Sequence, residues 1–234
     1  MPNILKLFFR IAFLWLVFNI FLVVFAWGKS YFVDFGVRPA TYSIDLRDDK
    51  SQKGNFITFV ATQAEPEKQW LFGHLWVSFE TTPPNEKAPN HQFGYYAANK
   101  TAAAIELVNT SINPLGFFMG QKPVLGQIQI DDPWPHHLEL RVNIDSIDYE
   151  NAIKTHQKWR LEKEYYNRGK MGKNAKGCQD YAFDIAQSIG LKTPKNHWGE
   201  FPPESFVNLA QANDIKIEKK LSLGAYFNKK TSHQ

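Results

Sequence analysis

The sequence predicts an α+β domain, an antiparallel sheet packed on helices, held behind one N-terminal membrane helix. Three observations carry this reading. Ile11–Trp27 reads IAFLWLVFNIFLVVFAW without a single charge. The first half of the remaining chain holds short segments rich in β-formers, and the second half holds helical patterns. Strands first and helices afterwards argue for α+β rather than alternating units.

The leader comes first in the chain. A spanning helix needs about 20 mostly apolar residues. Asn19 is the only polar residue in the run, and Ile4, Leu5, Leu7, Phe8 and Phe9 extend the apolar character around Lys6 and Arg10. Those two cations favour a cytoplasmic N-terminus, which sends the rest of the chain outward. The predicted location is therefore the inner (cytoplasmic) membrane, single-pass, with the C-terminal domain on the periplasmic side. A secretory signal competes, because Val24-Phe25-Ala26 resembles a cleavage site and would release the domain. The length of the run and bulky Trp27 speak for the anchor.

The domains read as an anchor over 1–28, a connector over 29–55, a folded domain over 56–220 and a tail over 221–234. Phe56–Ala61 and Trp70–Phe79 read as strands, and His91–Ala97 as a third. Thr81–Asn90 carries Pro83, Pro84 and Pro89 and reads as a loop. Asn99–Leu125, with Pro114, Gly116 and Gly120, reads mostly as loop. Gln127–Ile130 and Leu138–Ile144 alternate cleanly as strands. Ser146 reads as an N-cap, with a helix over Ile147–Tyr166. Cys178–Ile189 reads as a helix closed by Gly190, and Pro203–Ala212 as a short final helix.

Composition excludes some functions. Hydrophobic residues make up 44% and charged residues 21% of the 234, which is ordinary globular composition. The formal charge is +4, and Lys6 and Arg10 supply two of those charges in a leader without acids, so the domain carries about +2. No basic face points to nucleic acid. His136-His137 has no further ligand at useful spacing and reads as a turn, so no metal site is expected. No motif calls for a cofactor. The charges of Lys154–Lys176 read as a solvated helix face.

Cys178 is the only cysteine, so no internal disulfide is available. It stands where a Gly- and Lys-rich loop becomes a helix. A thiol in the first helical turn feels unpaired N–H groups and the positive end of the dipole, and both favour thiolate. The same N–H groups can receive an oxyanion. The blander reading is a small buried hydrophobe. A thiolate nucleophile needs a base, and His74, in the β-like run Gly73-His74-Leu75-Trp76-Val77-Ser78-Phe79, is the candidate. Alternation puts His74, Trp76 and Ser78 on one face and Leu75, Val77 and Phe79 on the other.

These motifs, with Phe93-Gly94-Tyr95-Tyr96 and Cys178-Gln179-Asp180-Tyr181-Ala182, resemble the circularly permuted papain-like branch of the NlpC/P60 superfamily. That branch includes the lecithin retinol acyltransferase-like proteins. The resemblance runs from about Phe56 to Pro194 in order of elements, and its specific part is the short motifs around His74 and Cys178. It implies Cys178 as nucleophile and His74 as base. It also implies a third polar residue on the next strand, for which His91 is the choice and Gln92 the alternative. In many relatives an Asn precedes the cysteine, where this chain has Gly177.

Two functions follow. One is a membrane-anchored thiol hydrolase or acyltransferase that acts through a thioester on amide or ester bonds, with a cell-wall peptide or a lipid acyl group as substrate. The other is a catalytically inactive relative that serves as an envelope binding module.

Overall fold

The computed structural model describes residues 2–34, 40–51, 53–62, 73–81, 91–112, 122–131, 138–165, 176–195, 202–217 and 220–221. The leader is a single helix, α1 (Pro2–Phe32), and Ile4–Phe21 has a mean hydropathy of 2.0. This helix is long and apolar enough to cross a membrane, a property it shares with signal sequences. It continues past the expected end of the anchor at residue 28.

The chain then forms β1 (Val33–Asp34), β2 (Ala40–Asp45), β3 (Asn55–Thr62), β4 (His74–Glu80) and β5 (Gln92–Ala97). Helix α2 (Lys100–Ile112) precedes β6 (Val124–Asp131) and β7 (Leu138–Ile144). Helix α3 (Ser146–Leu161), β8 (Glu164–Tyr165), α4 (Cys178–Ser188), α5 (Pro202–Ala212) and β9 (Lys220–Leu221) complete the described elements. The fold is mixed α and β. Seven strands form one sheet in the order β2-β7-β3-β4-β5-β6-β8, and β1 pairs with β9 apart from it.

Two expectations are corrected. Residues 29–55 are not merely a connector, because β2 is an edge strand of the main sheet. It runs parallel to β7, with Ala40 opposite Leu138 and Ile44 opposite Val142. Its alternation (ATYSID) is short, and a parallel partner almost a hundred residues away leaves no local trace. The stretch Asn99–Leu125 is not mostly loop. Asn99 caps α2 by accepting the Ala102 N–H on its side-chain oxygen at 2.9 Å. The alanine-rich start that follows is strongly helix-forming.

The sheet has two distinct faces. Register aligns Ile57 with Phe79, Phe59 with Val77 and Ala61 with Leu75. It also aligns the same three β3 residues with Val142, Leu140 and Leu138, and Val77 with Phe93. All of these side chains belong to one core that includes residues of α3, α4 and α5. Helix α4 contributes Tyr181, Ala182, Ile185 and Ala186, an apolar stripe at helical spacing. Trp159 of α3 donates its indole N–H to Asp184 of α4 at 2.9 Å and ties the two helices. Gly190 follows α4 at φ +81°, and the Leu191 N–H returns to the Ala186 carbonyl at 3.0 Å. This is the glycine C-terminal stop that the sequence indicates.

Gly73 enters β4 at φ +77°. A Cβ there would lie 2.4 Å from the Thr62 carbonyl oxygen and 3.0 Å from Pro203 Cδ. Gly73→Ala therefore meets both left-handed strain and a backbone clash. It should cost about 1–3 kcal/mol, read as a lower urea midpoint at unchanged slope. A midpoint equal to that of the unmodified protein would show that β4 does not need this turn.

Candidate functional site

Cys178 is the first residue of α4, as expected, and its half-buried side chain packs against the helix-side core. Gly177 precedes it in extended conformation, and its N–H donates to the Asp180 carboxylate at 3.0 Å. This is half of a capping box, since glycine has no side chain to return the bond. The Asp180 carboxylate therefore shares the positive end of the helix with the thiol. Tyr165 of β8 is the other neighbour. Its ring lies close to Gly177, and burial, with smaller effects from Cys178, Asp180 and Tyr95, raises the phenol above its ordinary range. The phenol therefore stays protonated.

His74 is the first residue of β4 and is buried. Its ring stacks on Tyr96 at 4.4 Å between centroids and on Trp76 at 5.4 Å. Trp76 is also buried, and its indole N–H donates to the Gln92 side-chain oxygen at 2.8 Å. Residues two apart on a strand share a face. His74, Trp76 and Ser78 therefore lie opposite Leu75, Val77 and Phe79, and only the latter three join the core that contains Cys178. Thr58, Thr62 and Ser78 are buried on the His74 face as well, which makes it a polar and aromatic layer withdrawn from water.

The two residues nevertheless meet the same end of the molecule. The first turn of α5 lies against the position a Gly73 side chain would take, through Pro203. Ser205 in that turn accepts a hydrogen bond from the Gln179 side-chain amide at 2.9 Å. One helical turn thus flanks the residue before His74 and the residue after Cys178.

His91 does not orient His74. It is exposed, and its ring makes an edge contact with Phe93 at 6.3 Å. Register pairs Ser78 with Gln92, so His91 lies beyond the far part of β4, while His74 begins that strand. At about 3.3 Å per residue the separation along the ladder is roughly 15 Å. The residue of the next strand that touches the imidazole is Tyr96. The alternative, Gln92, is bonded to Trp76, one step removed from the ring. The Pro-rich stretch between the strands conceals the register, so sequence spacing could not select Tyr96. Tyr165 was missed because it belongs to a two-residue strand inside a segment that reads as helix.

A second buried histidine, His156 of α3, lies on the helix side between Phe79, Phe93 and Tyr181. Its Nδ1 is 2.8 Å from the Tyr181 hydroxyl. Burial, with a smaller effect from Arg160, pushes its pKa down to about 4. It is a neutral core imidazole at physiological pH, which suits a packing role. His136 and His137 lie outside the described residues. No protein-family model, no curated protein and no solved structure matches this chain.

Proposed function

We propose that the chain is a membrane-anchored binding module of the cell envelope, with α1 as a single-pass anchor and the domain on the extracytoplasmic side. In this reading the partner is a cell-wall peptide or a lipid group, and Cys178 and His74 are packing residues. The observation that carries it is the direction of His74. Its ring lies in the Trp76–Tyr96 stack, on the sheet face away from the helix that Cys178 opens. Lys6 and Arg10 before the apolar run support the orientation.

One observation favours a second reading, a thiol hydrolase or acyltransferase of permuted papain-like fold with Cys178 as nucleophile and His74 as base. The α5 turn that lies beside both Gly73 and Gln179 keeps the two residues at one end of the sheet. This reading requires the imidazole to leave its stack and swing around the end of β4. The thiol would then attack the carbonyl carbon of an amide or ester. The leaving amine or alcohol would take the proton from the imidazolium, and water or a second acceptor would release the acyl group.

The pH dependence of Cys178 alkylation in the native protein, in His74→Ala and in ring-preserving His74→Phe, separates the two. The binding module predicts one titration curve for all three proteins. An imidazole-coupled thiolate predicts a native curve well below about 8.5 that both substitutions raise, and that result would replace the first reading by the second.

A further inference from the structure

The main sheet ends on one side at β8, which is only Glu164–Tyr165 and pairs with Val124 and Leu125 of β6. Strand β6 continues to Asp131. Two hydrogen bonds show which way its backbone groups point. The Leu125 carbonyl accepts the Ala98 N–H at 2.8 Å, on the β5 side. The Gly126 N–H donates to the Lys163 carbonyl at 2.9 Å, on the side away from β5. Successive residues of an antiparallel strand direct their N–H and C=O groups to opposite sides. Ile128 and Ile130 therefore direct theirs outward, as Gly126 does. Among the described residues no strand lies outside them.

An open edge is a template for another strand, and proteins commonly blunt it with lysine, proline or a bulge. Gln127-Ile128-Gln129-Ile130-Asp131 holds no lysine or proline. Its pairing with β5 runs one to one, without a bulge. Ile128 and Ile130 stand opposite Tyr95 and Phe93, on the helix side of the sheet. Ile130 is 63% exposed, and Leu161, which ends α3 just before the Lys163 carbonyl, is exposed as well. Gln127, Gln129 and Asp131 lie on the other face.

We propose that this edge pairs with the same edge of a second copy of the chain, antiparallel about a two-fold axis at Gln129. That register sets Ile128 of each copy opposite Ile130 of the other. The outward groups of both residues then meet, and each such pair exchanges two hydrogen bonds. The isoleucines cover each other on the helix side. On the other face Gln129 meets its own copy, and Gln127 meets Asp131, an amide donor against a carboxylate. Asp131 is the only charge in the segment, and this register keeps the two carboxylates apart. An axis at Ile128 would need the outward groups of Gly126, which Lys163 already engages. An axis at Ile130 would leave Ile128 facing a residue beyond the end of β6. The axis at Gln129 therefore makes the edge self-complementary, as a closed dimer requires. The contact uses neither Cys178 nor His74, so it is independent of what those residues do.

The test uses the full-length chain in detergent, in a Cys178→Ser background. Its protein mass by light scattering should be that of two chains. Gln129→Cys should form a disulfide-linked dimer under mild oxidation, because facing residues of this kind stand about 4.5 Å apart at Cα, within the span that a disulfide needs. Gln127→Cys faces Asp131 rather than itself and should stay uncrosslinked. Ile130→Pro removes an outward N–H from each copy and leaves the ladder to β5 untouched, so association should weaken on the order of tenfold or more. Ile130→Lys keeps that N–H and should weaken association through the exposed side chain alone. A particle of one chain would overturn the proposal. A particle of two chains in which Gln129→Cys does not cross-link would overturn it too, by placing the contact elsewhere on the molecule.

Discussion

Trp76→Ala should destabilise the domain by about 3–5 kcal/mol, the cost of removing a large aromatic side chain from a site that cannot collapse around the void. Trp76 is fully buried at the centre of β4, opposite Val60 of β3. It packs against the His74 ring, and its N–H bonds Gln92 on the neighbouring strand. The substitution therefore removes area, a ring contact and the partner of a half-buried amide together. Trp76→Phe isolates the last effect. It keeps most of the area, loses the N–H and should cost about 1–2 kcal/mol. Urea unfolding of both variants measures the pair. Equal small losses would mean that the His74 face is not a packed layer. The comparison bears on function too, because a loosened stack frees the imidazole. Should Trp76→Phe raise the alkylation rate of Cys178, the swing required by the thiol-enzyme reading would gain direct support.

Acid should weaken the fold through His156. Its folded-state pKa is about 4, against an ordinary value of 6.5. Between those values the unfolded chain binds more protons than the folded one, so stability rises with pH. The contribution is complete above pH 6.5 and is lost as pH falls towards 4. Burial of the uncharged ring among Phe79, Phe93 and Tyr181 causes it. The loss should reach about 2–3 kcal/mol at most. His156→Gln cannot become cationic and should flatten the unfolding free energy between pH 6.5 and 4.5. At neutral pH it should be less stable, since the ring contacts go with it. An unchanged slope in this variant would assign the acid sensitivity to other groups.

The helix that Cys178 opens, the strand Leu138–Ile144 and the final helix were legible because their signals are local. A glycine stop at Gly190, clean alternation in LELRVNI and an apolar stripe at helical spacing each act within one element. Helix α2 was misread because Pro114, Gly116 and Gly120 lie just beyond it and lend a loop-like composition to the whole stretch. The edge strand β2 was misread because ATYSID is short and alternates only weakly between apolar and polar residues, while its partner β7 lies almost a hundred residues away.

The candidate site divides along the same line. Alternation along β4 by itself put His74, Trp76 and Ser78 on one face and Leu75, Val77 and Phe79 on the other. Which of those faces receives α4 depends on how the whole sheet packs. The tertiary structure seats α4 on the Leu75 face, where Ile57, Phe59, Leu138 and Leu140 already supply a continuous apolar surface for its stripe. Cys178 follows its helix to that side, and His74 is left with Tyr96 on the other. The sequence alone determined a single apolar leader, the chain order of histidine strand and cysteine helix, and the face assignments within each strand, since these follow from backbone geometry. Only the tertiary structure decided the register that joins Tyr96 rather than His91 to the imidazole, the side of the sheet each candidate occupies, and the contact of α2 with α1. Each of these is a pairing between distant segments, chosen by burial summed over many residues.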